Sequence, residues 1–205
     1  MRNVYVVRHT ESVHHVQGLA GGWYDTSLTD KGKEQARKVA DGLFNEVQKP
    51  GIPIWSSDLK RCSEMADVFA AVFRSPVTLD RDLREMSGGE CEGKNQEWVV
   101  GNVMPLPKDG NRLDHHAFIG SETRRDVGTR MQSFLERLTA GQAQDMIVIT
   151  HGFAMSFLIM AWFKVPVEHM DYCDFSRTRP GSVTLLHEDD VFRNRHIVYV
   201  GRNLV

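Results

Sequence analysis

The chain has 205 residues, 41% of them hydrophobic and 25% charged, with a formal net charge of −2. That length supports one sizeable core, read as a single domain over 1–205. The charge balance excludes the basic excess on which general nucleic-acid or membrane-surface binding depends, and three widely spaced cysteines, Cys62, Cys91 and Cys173, exclude a readable disulfide framework or cysteine metal site.

The first predicted element is the apolar run Val4–Val7, which ends abruptly in Arg8-His9-Thr10-Glu11. Thr29 then reads as the N-cap of a helix whose inward stripe is Ala36, Val39, Ala40, Leu43 and Val47. A second strand, Ile52–Ser56, runs into Asp58, which is read as opening a second helix with Leu59, Cys62, Ala66, Phe69 and Phe73 inward. Arg61 is off that stripe, in the first turn, where it can face the sheet edge. The segment 88–120 is rich in Gly, Pro, Asn and His and reads as an irregular lid or substrate-specificity segment. Ser121 is read as the N-cap of a third helix, with Val127, Met131, Phe134, Leu135 and Leu138 inward. Met146–Thr150 is a third apolar strand ending in His151-Gly152, followed by a helix over Phe153–Phe163 that is apolar nearly all round. Two late strands, Ser182–His187 and His196–Val200, are placed at a sheet edge. The alternation predicts an α/β fold: a three-layer αβα sandwich with a mostly parallel central sheet and a partial lid segment. The first apolar stretch lacks a charged n-region and a cleavage site, and Phe153–Phe163 is too short to span a bilayer, so the cytoplasm is the expected compartment.

Three strands thus end near Arg8/His9, Arg61 and His151. Ligands of open α/β sheets bind beyond the carboxyl ends of the strands, so parallel neighbours would bring these side chains to one edge. Hydrolysis of a phosphate ester needs a nucleophile or activated water, cations for the phosphoryl oxygens and an acid for the leaving oxygen. A neutral imidazole at His9 can attack phosphorus. Arg8 and Arg61 offer forked donors that match phosphate oxygens. His151 begins a turn into a helix, where its ring and the backbone N–H groups near Gly152 can face an anion together. Glu85, just before the lid segment, is the candidate acid. Singly, each has a plainer reading: a core histidine, a surface arginine, a solvated carboxylate.

Arg8-His9-Thr10-Glu11-Ser12, Leu28-Thr29-Asp30-Lys31-Gly32-Lys33-Glu34-Gln35-Ala36, Ser56-Ser57-Asp58-Leu59-Lys60-Arg61-Cys62, Leu83-Arg84-Glu85 and Thr150-His151-Gly152 together resemble the histidine phosphatase superfamily, the phosphoglycerate mutase-like group. The resemblance implies in-line attack by His9 to give phosphohistidine. Glu85 would protonate the leaving oxygen and then serve as base for the hydrolytic water. Arg8, Arg61 and His151 would hold the phosphoryl oxygens. It implies no metal and no cofactor. Glu85 must be protonated in the first step and ionised in the second, which predicts an activity optimum on the acid side of neutral.

The chain departs from that pattern at three places. Thr10 stands where the family usually has Gly, and His15, flanked by His14, stands where an Asn is common. Gly21 stands where a Gln usually precedes Gly-Trp. His15 is a candidate substitute phosphate donor, with an exposed loop histidine as the alternative. His115, His116, Arg112 and Lys94 are read as surface groups unless the lid brings them over the site, and Trp23 and Tyr24 as packing beneath a loop, with the wall of a pocket as the alternative. The expected function is a phosphomonoesterase acting on a small phosphorylated metabolite, as a monomer or homodimer. The alternatives are a phosphoglycerate mutase, disfavoured by the short stretch between Glu85 and His151, and a phosphate-binding protein that has lost catalysis.

Overall fold

The computed structural model describes residues 1–108 and 110–204. Six strands form one sheet in the order β3-β2-β4-β1-β5-β6. They are β1 (Arg2–Arg8), β2 (Ile54–Ser56), β3 (Val77–Leu79), β4 (Asp145–Thr150), β5 (Val183–Glu188) and β6 (Arg195–Arg202). β3, β2, β4 and β1 are parallel, while β5 pairs antiparallel with β1, and β6 with β5. The late strands are therefore not both at the edge. β5 lies inside the sheet, between β1 and β6, and β6 is the edge strand on that side. The short β3 beyond β2 escapes sequence reading because three residues carry no periodicity.

Among the described residues six helices accompany the sheet: α1 (Val13–Gln17), α2 (Asp30–Val47), α3 (Lys60–Phe73), α4 (Gln96–Asn102), α5 (Arg124–Ala140) and α6 (Gly152–Trp162). The central strands are apolar on both faces because both are covered. Val4, Val6, Met146 and Val148 face α5 and α6, while Val7, Ile54, Ile147 and Ile149 face α2 and α3. This is the expected three-layer sandwich. α6 lies wholly within the first of these cores, which explains its lack of a polar face.

Two helix starts differ from the sequence reading. α3 begins at Lys60 with Leu59 at the cap. Asp58 instead receives Arg84 on both carboxylate oxygens, at 2.6 Å each, and is not a cap. α5 is capped by Thr123, whose hydroxyl accepts from Asp126 N while Asp126 accepts from Thr123 N. This capping box satisfies two free backbone donors where Ser121 would satisfy one. Ser121 Oγ accepts from Phe118 N instead, at 3.3 Å. The cap of α2 is Thr29, as its sequence indicates, accepting from Gly32 N at 2.9 Å. Gly32 also lets the site loop approach: a Cβ there would lie 2.0 Å from the Glu11 carbonyl oxygen.

The 88–120 segment is less irregular than its composition indicates. It holds a 3₁₀ turn at Gly89–Cys91 and the short α4, capped by Asn95. Its two ends are tied by Glu90 N donating to Ile119 O at 3.0 Å. Its first half is laced to the 19–24 loop by Ala20 N to Lys94 O and Gly93 N to Ala20 O.

Candidate functional site

The parallel register puts Arg8 opposite Thr150 and Ser56 opposite Ile149. The chain leaves β1 and β4 at the same level, and His9 N donates to Thr150 O at 3.0 Å. His9 and His151 thus follow two adjacent strand ends, with ring centroids 5.1 Å apart. Arg61 enters from the first turn of α3 and is 1% exposed. Its Nε donates to His151 Nδ1 at 3.2 Å, and its two terminal nitrogens donate to Tyr24 O at 3.0 Å and Gly22 O at 2.7 Å. Those carbonyls satisfy a guanidinium that burial would otherwise penalise.

The partners select the histidine tautomers. His9 Nδ1 lies 2.8 Å from the carbonyl of Thr10, so it carries the proton and Nε2 carries the lone pair. His151 Nδ1 accepts from Arg61, so its Nε2 is the donor, 2.9 Å from Ser57 Oγ. Burial, then the Arg61 guanidinium, pushes both imidazoles well below the ordinary histidine range and keeps them neutral. Beside His151, burial pushes the Cys62 thiol up, so it stays protonated.

Arg8 lies on the other flank. One terminal nitrogen donates to Ser176 O at 2.7 Å and to Thr178 O. A Cβ at position 152 would lie 2.9 Å from Arg8 Cζ, so Gly152 is what lets the start of α6 meet this guanidinium. Glu85 follows a 3₁₀ turn at Arg81–Leu83 and reaches the same helix end. Its carboxylate accepts from Ala154 N at 2.9 Å and Phe153 N at 3.1 Å, the place where a helix offers unpaired N–H groups to an anion. The Glu85 charge is felt by both Arg8 and Arg61. The five expected residues, Arg8, His9, Arg61, Glu85 and His151, are therefore brought together. The arrangement couples a free imidazole lone pair to two guanidiniums, a second imidazole and a carboxylate, which suits chemistry on a phosphoryl group.

His15 joins this cluster. Its ring stacks on that of His9, with centroids 5.3 Å apart and planes 16° apart. With Arg8, Glu11, Gln35 and Arg179 it borders a cleft of about 580 Å³. The neighbouring departures are structurally linked. A Cβ at Gly21 would lie 2.9 Å from His14 Nε2, so the His14 ring fills the room that a side chain at 21 would take. Burial pushes His14 down to about 3. Thr10 Oγ1 donates to Gly32 O at 2.7 Å and ties the loop to α2. His115, His116, Lys94 and Arg112 make their contacts elsewhere, with Met104 O, Ser121 O and the rings of Trp98 and Tyr172.

Several residues with no sequence signal hold Glu85 in place. Arg130, on α5, donates to the carbonyls of Asp82 at 2.5 Å, Arg84 at 2.7 Å and Glu85 at 3.1 Å. It also grips Glu122 on both oxygens, at 2.9 and 3.0 Å. Glu122 in turn accepts from Ser87 N at 2.8 Å. Trp23 Nε1 donates to Glu85 O at 2.7 Å, and the Trp23 ring lies near the guanidiniums of Arg81 and Arg84, at 5.1 and 5.0 Å. Trp23 thus packs as expected and also braces the candidate acid. Glu92 accepts from Trp23 N, Ser87 Oγ and Gly88 N, joining the 19–24 loop to the start of the lid segment.

Among the described residues, no three His, Cys, Asp or Glu side chains are grouped to hold a metal ion, and no helix is long and apolar enough to cross a membrane.

The profile of the Histidine phosphatase superfamily (branch 1) matches residues 4–196. A putative phosphoserine phosphatase 2 of Hydrogenobacter thermophilus is 29% identical over 83% of this chain and 83% of its own length. A 6-phosphofructo-2-kinase/fructose-2,6-bisphosphatase of Caenorhabditis elegans is 26% identical over 84% of this chain, and the match spans only 36% of that larger protein. Among solved structures, a mycobacterial glucosyl-3-phosphoglycerate phosphatase complexed with VO3 superposes with a TM-score of 0.78, at 23% identity, over 97% of this chain and 98% of that one; it is similar in fold.

Proposed function

The chain belongs to the histidine phosphatase superfamily and is a phosphatase, and from that premise we propose that it hydrolyses a small phosphorylated metabolite through a phosphohistidine on His9, without a metal. The observation that carries this reading is the neutral His9, its Nε2 freed by the bond from Nδ1–H to Thr10 O, beside Arg61 and His151. Nε2 attacks phosphorus in line as the P–O bond to the leaving alcohol breaks. Glu85 exchanges the backbone N–H groups of α6 for that oxygen and gives it a proton. Water then attacks the phosphohistidine, Glu85 takes its proton, and His9 leaves as neutral imidazole with inorganic phosphate as product. Arg8, Arg61, His151 and the backbone N–H of Gly152 hold the charge on the phosphoryl oxygens. His15, stacked on the nucleophile, serves as an additional donor to phosphate. Residues 1–205 act as one catalytic domain with 88–120 over the entrance.

The test is hydrolysis of p-nitrophenyl phosphate in excess EDTA, with acid-quench trapping of the phosphoenzyme, for wild type and His9→Ala. EDTA-resistant turnover and an acid-labile phosphoprotein, both lost in His9→Ala, are expected. Turnover that persists in His9→Ala, or phosphoglycerate isomerisation without hydrolysis, overturns the reading.

A further inference from the structure

Next to Glu85, on the α6 side, the surface opens into a slot of about 270 Å³ bordered by Glu85, Met86, Ser87, Gly88, Ala117 and Phe118, with Ser121 and Phe153 completing it. We propose that this slot is the seat of the leaving alcohol, and that it selects phosphomonoesters whose alcohol carries a flat, apolar group such as an aromatic ring. The inference rests on the phosphatase reading above and adds a substrate class to it.

Position is the first argument. In-line displacement puts the leaving oxygen opposite His9, within reach of the acid that protonates it. If Glu85 is that acid, the rest of the alcohol lies along the surface that Glu85 borders, and that surface is this slot.

Chemistry is the second. Of the slot's two hydroxyls, Ser87 Oγ spends its proton on Glu92 at 2.9 Å, and Ser121 Oγ accepts from Phe118 N at 3.3 Å and keeps a proton to donate. A sugar or polyol in the slot would exchange the water contacts of several hydroxyls for little more than that one bond, at a cost per unpaired group that exceeds a typical hydrogen bond's gain. An apolar ring loses nothing of the kind and gains the burial of its surface.

Preorganisation is the third. The Phe153 ring sits edge-to-face with Phe157 at 5.2 Å, and the Arg124 guanidinium lies 5.0 Å from its centroid. The Phe118 ring stacks with Trp98 at 6.2 Å and is buried. Both aromatic walls are held before any ligand arrives, so little ordering remains to be paid for on binding. The size is adequate, since an apolar cavity of about 150 Å³ holds a benzene ring.

The test separates the slot from the chemistry. Affinities of benzylphosphonate and ethylphosphonate, which are not hydrolysed, are measured by calorimetry for wild type, Ala117→Asp and Ala117→Trp. In parallel, kcat/KM is measured for benzyl phosphate and ethyl phosphate, whose alcohols are similarly poor leaving groups. Benzylphosphonate is expected to bind at least tenfold more tightly than ethylphosphonate in wild type. The ratio should collapse towards one in Ala117→Asp, where a carboxylate enters the slot, and in Ala117→Trp, where an indole fills it. Equal affinities in wild type, or a ratio that survives both substitutions, overturn the slot assignment and leave the phosphatase reading standing. Tight, discriminating phosphonate binding with no hydrolysis of either ester overturns the phosphatase reading and leaves the slot.

Discussion

Around His9, Arg61 and His151 each side chain is carried by a strand end or a first helical turn. Around Glu85 the backbone belongs to no long element and is held by other side chains. The first region is set by the pairing of β1, β2 and β4: the His9 imidazole bonds to the next carbonyl and Arg61 to His151, while the rest of the Arg61 guanidinium reaches the carbonyls of Gly22 and Tyr24 in one neighbouring loop. The second depends on Arg130, Glu122, Trp23 and Glu92, drawn from four separate stretches of chain. Sheet register is a collective property that one side-chain substitution barely moves. A polar clamp is lost with one residue, and its partners are then left unsatisfied. The nucleophile side should therefore tolerate changes to its surroundings better than the acid side.

The largest effect expected is at the nucleophile itself. His9→Ala should lower kcat on the order of 10⁴-fold or more, as removal of a covalent nucleophile does, with an unchanged circular dichroism spectrum. Glu85→Gln comes next, at about 10²- to 10⁴-fold. In kcat/KM, which reports the phosphorylation step and not the shared hydrolysis of phosphohistidine, that loss should be steep for alkyl esters and shallow for p-nitrophenyl phosphate, whose leaving group needs little protonation. An equal loss on both esters would remove Glu85 from the role of acid.

Arg130→Met sharpens the contrast most, because Arg130 touches no reacting atom. It should cost about 2–4 kcal/mol of stability by orphaning Glu122 and three carbonyls. It should also lower kcat/KM for alkyl esters about tenfold more than for p-nitrophenyl phosphate. A merely structural arginine would lower stability and leave that ratio unchanged.

Acid should weaken the nucleophile side in its own way. His9 and His151 are held neutral when folded and titrate near 6.5 when unfolded. Below that value the unfolded chain binds protons that the folded chain refuses. Their contribution is therefore intact above about pH 6.5 and is lost as the pH falls, at about 1.4 kcal/mol per pH unit for each histidine. The urea midpoint should drop between about pH 7 and pH 5, and a flat profile would mean that the cluster is hydrated and charged. The smallest effect is at His15. His15→Ala should raise KM by about two- to fivefold, the loss of one hydrogen bond to a charged phosphate at a partly exposed site; unchanged KM and kcat would return His15 to an ordinary loop residue.

The same division governs what the sequence reveals. Arg8, His9 and His151 stand out because an apolar run stops at a charged or titratable residue, a pattern visible within eight positions. Arg61 is legible from its place in a first helical turn. Arg130 is not: it looks like any arginine on the flank of an amphipathic helix, and its partners at Asp82, Arg84 and Glu122 become neighbours only through the tertiary fold. Ser121 and Thr123 are equally good caps by residue type, and only the reciprocal bond with Asp126 decides between them. The place of β5 between β1 and β6 is not legible either, because the run Ser182–His187 does not itself encode which strands pair on its two sides.

The hydrogen bond that orients His9 runs to the carbonyl of the very next residue. The partner that selects the reactive nitrogen is thus local, and substitutions in the lid or the slot leave it in place, while His15, stacked on the ring, links it to the cleft beside Arg179. The nucleophile is a portable part: its aim is written into one dipeptide. Substrate preference can be re-engineered, or drift over generations, through 88–120 while the attacking atom keeps its bearing.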